Sequence, residues 1–412
     1  MKHLKKVIGI GLILIICFCF YNNKTEINSD ISSDKAEEET GKEEAMKAFW
    51  LTNQIEDESI MLVSNNGNSP SGNLLFEPAK ITEMVTYQTE TGVKTVWKEG
   101  TDYTVNGKTI TALNSNIPFM TDMQVNGEDK IDGLDYTSIP SVTAGLYLPF
   151  TEGAELISRQ VYVTYEYNEK WDGTTPVYEG HKLKIIMSKL ENKEAVNLLV
   201  YGDSISTGAN SSGYLKVFPN KDSWPVAVTK NLEQYYGSQI NLLNKAVGGW
   251  TSENAIKNTE SIGWVDGKQI KQPGIKVTLS EMPDYKPDLV ILGFGMNDAT
   301  NGIDKNTFKI YMSTIIENIR ERNSQCEFIL LGTMLANPMA ANQSKDQISY
   351  YTVLKEIAES EEGIVTVNIG QMHQGMLDAD KKYIDMTANN VNHPNDFMAS
   401  IYTMNILALL IK

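Results

Sequence analysis

Hydrophobic positions along this chain change their rhythm near residue 190. Between Met46 and Ser188 they come in short runs broken by turns: Ser59 to Val63, Ile81 to Gln88, Val93 to Lys98, Tyr103 to Val105, Thr109 to Ala112, Gly145 to Leu148, Gln160 to Tyr167 and Lys182 to Met187. Asn66-Gly67, Asn106-Gly107, Asn126-Gly127 and Asp172-Gly173 are pairs that suit turn positions with φ > 0. Gln160 to Tyr167 alternates, which places Val161 and Val163 on one face of a strand. This texture predicts an all-β sandwich or jelly-roll domain over residues 46–190. From Glu194 onward, near-continuous apolar runs (Val196 to Tyr201, Ile240 to Val247, Asp288 to Phe294, Glu327 to Gly332, Gly363 to Ile369) alternate with helical patterns. The helices are expected near Trp224 to Tyr236, Ser252 to Ile262, Asn306 to Arg322, Ser344 to Ser360 and Phe397 to Ile411. Strands buried on both faces and separated by amphipathic helices predict a parallel α/β/α sheet over 194–412, with ligands at the carboxyl ends of its strands.

The amino terminus follows neither rhythm. Lys2, Lys5 and Lys6 precede an unbroken apolar run from Val7 to Tyr21, the order of an export leader, so residues 1–21 are expected to be a signal peptide or a membrane anchor. Cys17 and Cys19 raise a lipid anchor as an alternative, but Ile16 and Phe18 are bulky for the residue before a lipidated cysteine, which favours both as apolar filler. Residues 22–45 are acidic and nearly free of aliphatics and predict a flexible linker. The expected location is therefore extracellular or at the cell surface. Without the leader Cys326 is the only thiol, which leaves no intrachain disulfide and no cysteine-based zinc site. A net charge of −16 argues against nucleic acid as a partner.

The candidate chemistry begins at Leu198-Leu199-Val200-Tyr201-Gly202-Asp203-Ser204. A short apolar strand ends at a glycine that lets the chain turn sharply and lift a serine hydroxyl out of the sheet edge. Gly249 follows the second strand, Gly295-Met296-Asn297-Asp298 follows the third, and His393-Pro394 precedes the last helix. Together these blocks resemble the SGNH (GDSL-type) hydrolases over roughly residues 195–412. The resemblance implies a flavodoxin-like strand order and a serine esterase without a metal or nucleotide cofactor. It also implies Ser204 as nucleophile, His393 as base, and the Ser204 N–H, the Gly249 N–H and the Asn297 amide as oxyanion donors. The β-domain followed by this domain is similar to the layout of family-two carbohydrate esterases, which makes an acylated glycan, acetylated above all, the expected substrate.

One departure stands out. The family places an aspartate three residues before the histidine, and here that position is Asn390. A neutral amide can fix a histidine tautomer but adds no charge to stabilise an imidazolium. Three arrangements are open: a Ser204–His393 dyad oriented by Asn390 or a carbonyl, an acid supplied by Asp385 or Asp396, or a degraded site. Trp250, directly after the oxyanion glycine, is a candidate wall for a sugar ring. Asp203 and Asp298 are expected only to order their loops, and His373 to lie on the surface. A lipid esterase or thioesterase shares the same catalytic residues, and a non-catalytic binder of FMN or glycan fits the missing aspartate.

Overall fold

The computed structural model describes residues 45–412; the leader expected over 1–21 and the linker expected over 22–45, except its final residue, lie outside the described residues. The N-terminal domain is built on two sheets. One is antiparallel, with Gln54–Ile60, Val161–Tyr167, Pro78–Tyr87 and Lys94–Val96 in that spatial order. The other contains Tyr103–Asn106, Thr109–Ala112, Ser71–Asn73, Val63–Ser64 and Met120–Thr121, antiparallel except where Val63–Ser64 meets Met120–Thr121.

Two expected strands of this domain are absent. Gly145 to Leu148 lies in a long irregular segment, held by the Pro140–Tyr147 bridge and by the Leu148 N–H on the Ile139 carbonyl at 2.9 Å. Lys182 to Met187 gives way to the helix Lys184–Glu191. Its buried positions are Ile186, Met187 and Leu190, which continue from the buried Leu183 just before it in a stripe that matches a helix and not the alternation of a strand.

The C-terminal domain carries a parallel sheet of five strands, numbered here β1 (Val196–Gly202), β2 (Ile240–Asn244), β3 (Leu289–Gly293), β4 (Glu327–Gly332) and β5 (Ile364–Asn368). Their order is β2-β1-β3-β4-β5, which puts the point where strand order reverses between β1 and β3. The near-continuous apolar runs are explained by two buried faces. Leu198, Val200, Leu289, Ile291, Ile329 and Leu331 face the helices Trp224–Tyr236 and Asp396–Leu410. Leu199, Tyr201, Val290, Leu292, Phe328 and Leu330 face the helices Lys305–Arg320 and Gln347–Ser360. Pro225 opens the helix Trp224–Tyr236 and Gly237, at φ 68°, closes it in the left-handed conformation a C-cap favours.

The helix expected over Ser252 to Ile262 is shorter, Ser252–Ile256, and its second half belongs to a β-hairpin, Ser261–Val265 with Lys268–Gln272. Asp266 and Gly267 turn that hairpin with φ of 49° and 70°, the backbone a two-residue turn of this kind requires.

The two domains share one core. Phe49, Ile55, Val163, Tyr165 and Tyr167 of the N-terminal domain belong to the same apolar cluster as Leu198, Ile291 and Phe397 of the C-terminal domain.

Candidate active site

The end of β1 is shaped by close approach. A Cβ at Gly202 would stand 2.3 Å from the Gly293 carbonyl oxygen and 2.4 Å from Ser206 Oγ, so only glycine lets β1 and β3 run this close as the chain leaves the sheet. Asp203 then caps the short helix Ser204–Thr207, its carboxylate accepting the Ile205 N–H at 3.0 Å. Burial pushes the Asp203 carboxyl up to about 7, against the pull of the Ile205 N–H, and Asp298 adds to the rise. Its role is to order the turn that carries Ser204.

Ser204 Oγ lies 2.8 Å from His393 Nε2. On the other side of the ring His393 Nδ1 lies 2.5 Å from Asn210 Oδ1 and 3.5 Å from the Glu152 carboxylate. A carboxylate only accepts hydrogen bonds, so the Nδ1 side of the ring carries the proton and Nε2 is left free to accept from the serine. That is the tautomer a general base needs.

His393 is held by a loop in which Asn389 is the hub. Asn389 Oδ1 accepts the N–H groups of Val391 at 2.9 Å, Asn392 at 3.0 Å and His393 at 3.0 Å. The His393 carbonyl accepts the Thr387 hydroxyl at 2.9 Å. The N-terminal domain completes the loop: Gln160 Nε2 donates to the Thr387 carbonyl at 3.0 Å, and Asn390 Nδ2 donates to the Pro149 carbonyl at 3.1 Å.

These contacts correct three sequence-based expectations about the acid. Asn390 does not reach the imidazole. With φ at 63° its side chain turns toward Pro149 and accepts from Asn337 Nδ2, so it is a strut between loops. Asp385 accepts the Met61 N–H at 2.7 Å and pairs with Lys381, away from the ring. Asp396 accepts the Ser212 N–H at 2.8 Å, and burial pushes its carboxyl up to about 6. The ring's partners are Asn210 and Glu152, neither of which sequence reasoning singled out. Asn210 sits in the Ser-rich loop that follows Ser204, and its φ of 62° is the local mark of a special position. Glu152 is brought in from the other domain and had no sequence signal.

The groups expected to donate to an oxyanion lie at the ends of β2 and β3. Gly249 has φ of 79°, and among the described residues neither its N–H nor that of Ser204 has an acceptor in the protein. Asn297 Nδ2 donates to the Trp250 carbonyl at 2.9 Å, which fixes the amide beside the Gly249 loop. Asp298 binds the same loop through the Ser252 N–H at 3.0 Å and through the Ser252 hydroxyl. Burial raises the Asp298 carboxyl, with those Ser252 bonds opposing the rise.

Trp250 is not a sugar wall: it is 1% exposed and its Nε1–H donates to the Ile262 carbonyl at 2.9 Å, so its ring anchors the hairpin. The hairpin presents Trp264 instead, which is 50% exposed. Trp264 exchanges backbone hydrogen bonds with Gly248 at 2.7 and 3.1 Å, and a Cβ at Gly249 would meet its indole at 3.9 Å. Tyr214, whose hydroxyl accepts the Gly267 N–H at 3.1 Å, ties the hairpin tip to the Asn210 side. His373, expected on the surface, is fully buried; its Nδ1 accepts the Leu335 N–H at 3.2 Å and burial lowers its pKa to about 3. It is a structural acceptor.

Residues 200–399 match the model of the GDSL-like lipase/acylhydrolase family. The C-terminal domain is a GDSL-like hydrolase domain. The matched range contains Ser204, Gly249, Asn297 and His393. Among solved structures, a two-domain esterase active on acetylated mannans is similar at 16% identity and a TM-score of 0.43, over 59% of this chain and 56% of that one. The chain thus covers little more than half the length of that esterase. The acetylxylan esterase Axe2 from Geobacillus stearothermophilus is similar at 18% identity and a TM-score of 0.38, over 53% of this chain and 94% of that one. A carbohydrate esterase of family 3 from Talaromyces cellulolyticus is similar at 13% identity and a TM-score of 0.37, over 52% and 98%. No curated protein matches the chain.

Proposed function

We propose that the protein is an exported serine esterase that removes acetyl groups from a polysaccharide or cell-wall glycan. The observation that carries this reading is the Ser204 Oγ to His393 Nε2 separation of 2.8 Å, with an acceptor on the far side of the ring at 2.5 Å. In the first step Ser204 Oγ attacks the ester carbonyl carbon while His393 Nε2 takes the hydroxyl proton. The negative charge gathers on the carbonyl oxygen, where the N–H groups of Ser204 and Gly249 and the Asn297 amide would meet it. The intermediate collapses, the sugar oxygen leaves with the proton from His393, and acetyl-Ser204 remains. Water, deprotonated by the same nitrogen, releases acetate and restores the serine.

The glycan is supported by the half-exposed Trp264 indole beside Gly249, because a flat aromatic face suits the C–H face of a sugar ring. A site outside the cytoplasm is supported by Lys2, Lys5 and Lys6 followed by the apolar run to Tyr21. The test is hydrolysis of p-nitrophenyl acetate, butyrate and octanoate by residues 46–412 and by Ser204→Ala. Acetate-preferring activity lost in the variant is expected. Activity that rises toward octanoate would make it a lipid esterase, and no activity above the variant's would end the enzymatic reading.

A further inference from the structure

In a serine triad the acid does two things: it fixes the base tautomer by accepting the Nδ1 proton, and its charge stabilises the imidazolium. Here the acceptor at 2.5 Å from Nδ1 is Asn210, an amide that does the first and cannot do the second. The carboxylate near the same nitrogen is Glu152 at 3.5 Å, and it comes from the N-terminal domain. We propose that the two duties are divided between two residues on two domains, with Asn210 holding the tautomer and Glu152 supplying the charge that stabilises protonated His393. Glu152 acts through His393, so it is a positioning residue that does not touch substrate. The proposal rests on the serine esterase reading.

The loop bearing Glu152 is fixed close to the histidine. Pro149 takes the hydrogen bond from Asn390, three residues before His393. Phe150 exchanges backbone bonds with Asp135 at 2.8 and 2.9 Å, and the Gly153 N–H donates to Thr151 Oγ1 at 2.8 Å. Thr151 is itself buried and its hydroxyl bonds Glu155. Glu152 is therefore held between two anchored neighbours. Among the described residues no lysine or arginine pairs with it, so its charge is not already neutralised. The other ionisable groups facing the ring or Glu152 are Asp203, at the end of β1, and Tyr214, below the hairpin.

Glu152 is 59% exposed at its side chain while that of His393 is 8% exposed, so solvent screens the pair from one side only. An effect of about three- to fivefold on turnover is expected, the upper range for a half-exposed pair. Screening also supplies the distinguishing readout. At about 1 M salt the Debye length falls to roughly 3 Å, and a charge effect across this gap shrinks, whereas a packing effect does not.

The experiment compares full-length protein, Glu152→Gln and Glu152→Asp on p-nitrophenyl acetate at low and high salt. In parallel it follows the rate at which a fluorophosphonate labels Ser204, read by intact mass. The Gln variant should lose about three- to fivefold in kcat at low salt with little change in KM. Its labelling should slow in proportion, the deficit should narrow at high salt, and the Asp variant should recover part of the loss. A Gln variant within twofold of wild type at low salt in both assays overturns the proposal, as does a deficit that is the same at every salt concentration. A wild type that neither hydrolyses the ester nor takes the label overturns the esterase reading, and this proposal with it.

Discussion

Lys381 Nζ lies 2.6 Å from Glu58 Oε1, with both side chains fully buried and on opposite sides of the domain boundary. Glu58 also accepts the Tyr165 hydroxyl at 2.6 Å and the Leu75 N–H at 2.8 Å, and Lys381 donates to the Ser59 carbonyl at 2.7 Å. Removing one partner of such a pair strands the other charge without water. Lys381→Met should therefore cost about 3–5 kcal/mol of stability. The Glu58→Gln/Lys381→Met double variant should recover part of that loss, because the close 2.6 Å partner no longer carries an unpaired charge and only Asp385, 3.8 Å from the lysine, is left without it. Thermal unfolding of the three proteins checks the order, and a double variant as unstable as the single would refute it.

The division of labour at His393 separates two asparagines that occupy neighbouring roles in sequence logic. Asn210→Ala should lower kcat by about 10²-fold or more, because the imidazole loses the acceptor that holds its tautomer. Asn390→Asp should do the reverse of what a repaired triad would do. It removes the donor to Pro149 and sets a carboxylate against a carbonyl oxygen, so it should destabilise the fold and bring no gain in turnover. Esterase kinetics beside melting curves distinguish the two; a more active Asn390→Asp would place the acid back in its usual position.

At the oxyanion side, Asn297→Ala should reduce kcat by about 10²–10³ with a smaller change in KM. Stopped-flow measurement of acetyl-enzyme formation is the direct check. A variant that acylates at the wild-type rate would remove the amide from this role.

Trp264→Ala should raise KM for acetylated oligosaccharides about three- to tenfold, and by less for p-nitrophenyl acetate, which has no sugar ring to stack. Equal effects on the two substrates would assign the indole to holding Gly248 and Gly249 in place.

Asp396 gives a pH prediction whose sign is fixed by burial. Its carboxyl titrates near 3.9 when unfolded and near about 6 when folded, because burial penalises the charged form. The stability it contributes is complete below about pH 4 and is lost as pH rises through 6. Asp396→Asn keeps an acceptor for the Ser212 N–H and has no proton to lose. Between about pH 4 and pH 7 the variant should thus gain roughly 2–3 kcal/mol relative to wild type. Denaturant unfolding at the two pH values tests this; a difference that does not depend on pH would mean the carboxyl stays charged or exposed.

Much of the molecule was legible from its residues. The parallel sheet declared itself because β1, β3 and β4 are buried on both faces, and Ser204 and His393, which the structure places 2.8 Å apart, stood out because turn glycines and a proline mark the ends of their elements. The hairpin of Trp264 was equally marked, by Asp266-Gly267 between alternating residues, and was masked by the helical start of the preceding segment. Trp250 and His373 were misplaced because one-dimensional reading cannot tell an amphipathic ring at a site from one that closes a core. Asn210 and Glu152 were missed for a different reason. The family pattern directs attention to position 390, whereas the contacts that orient this imidazole are made by a left-handed loop and by a second domain, and tertiary packing alone brings those together.

The histidine loop, tied to Pro149, Gln160 and Ser59 of the N-terminal domain, has a consequence for modularity. In many multidomain enzymes the appended module can be exchanged or deleted and the catalyst survives. Here the proposed base is not the property of one module, since the segment carrying it is shaped by hydrogen bonds from both. A recombinant hydrolase domain grafted onto another β-module would inherit the serine and the oxyanion glycine but not a correctly seated imidazole. On the proposed function the heritable unit is the pair, and the boundary between the domains is a line through the candidate site.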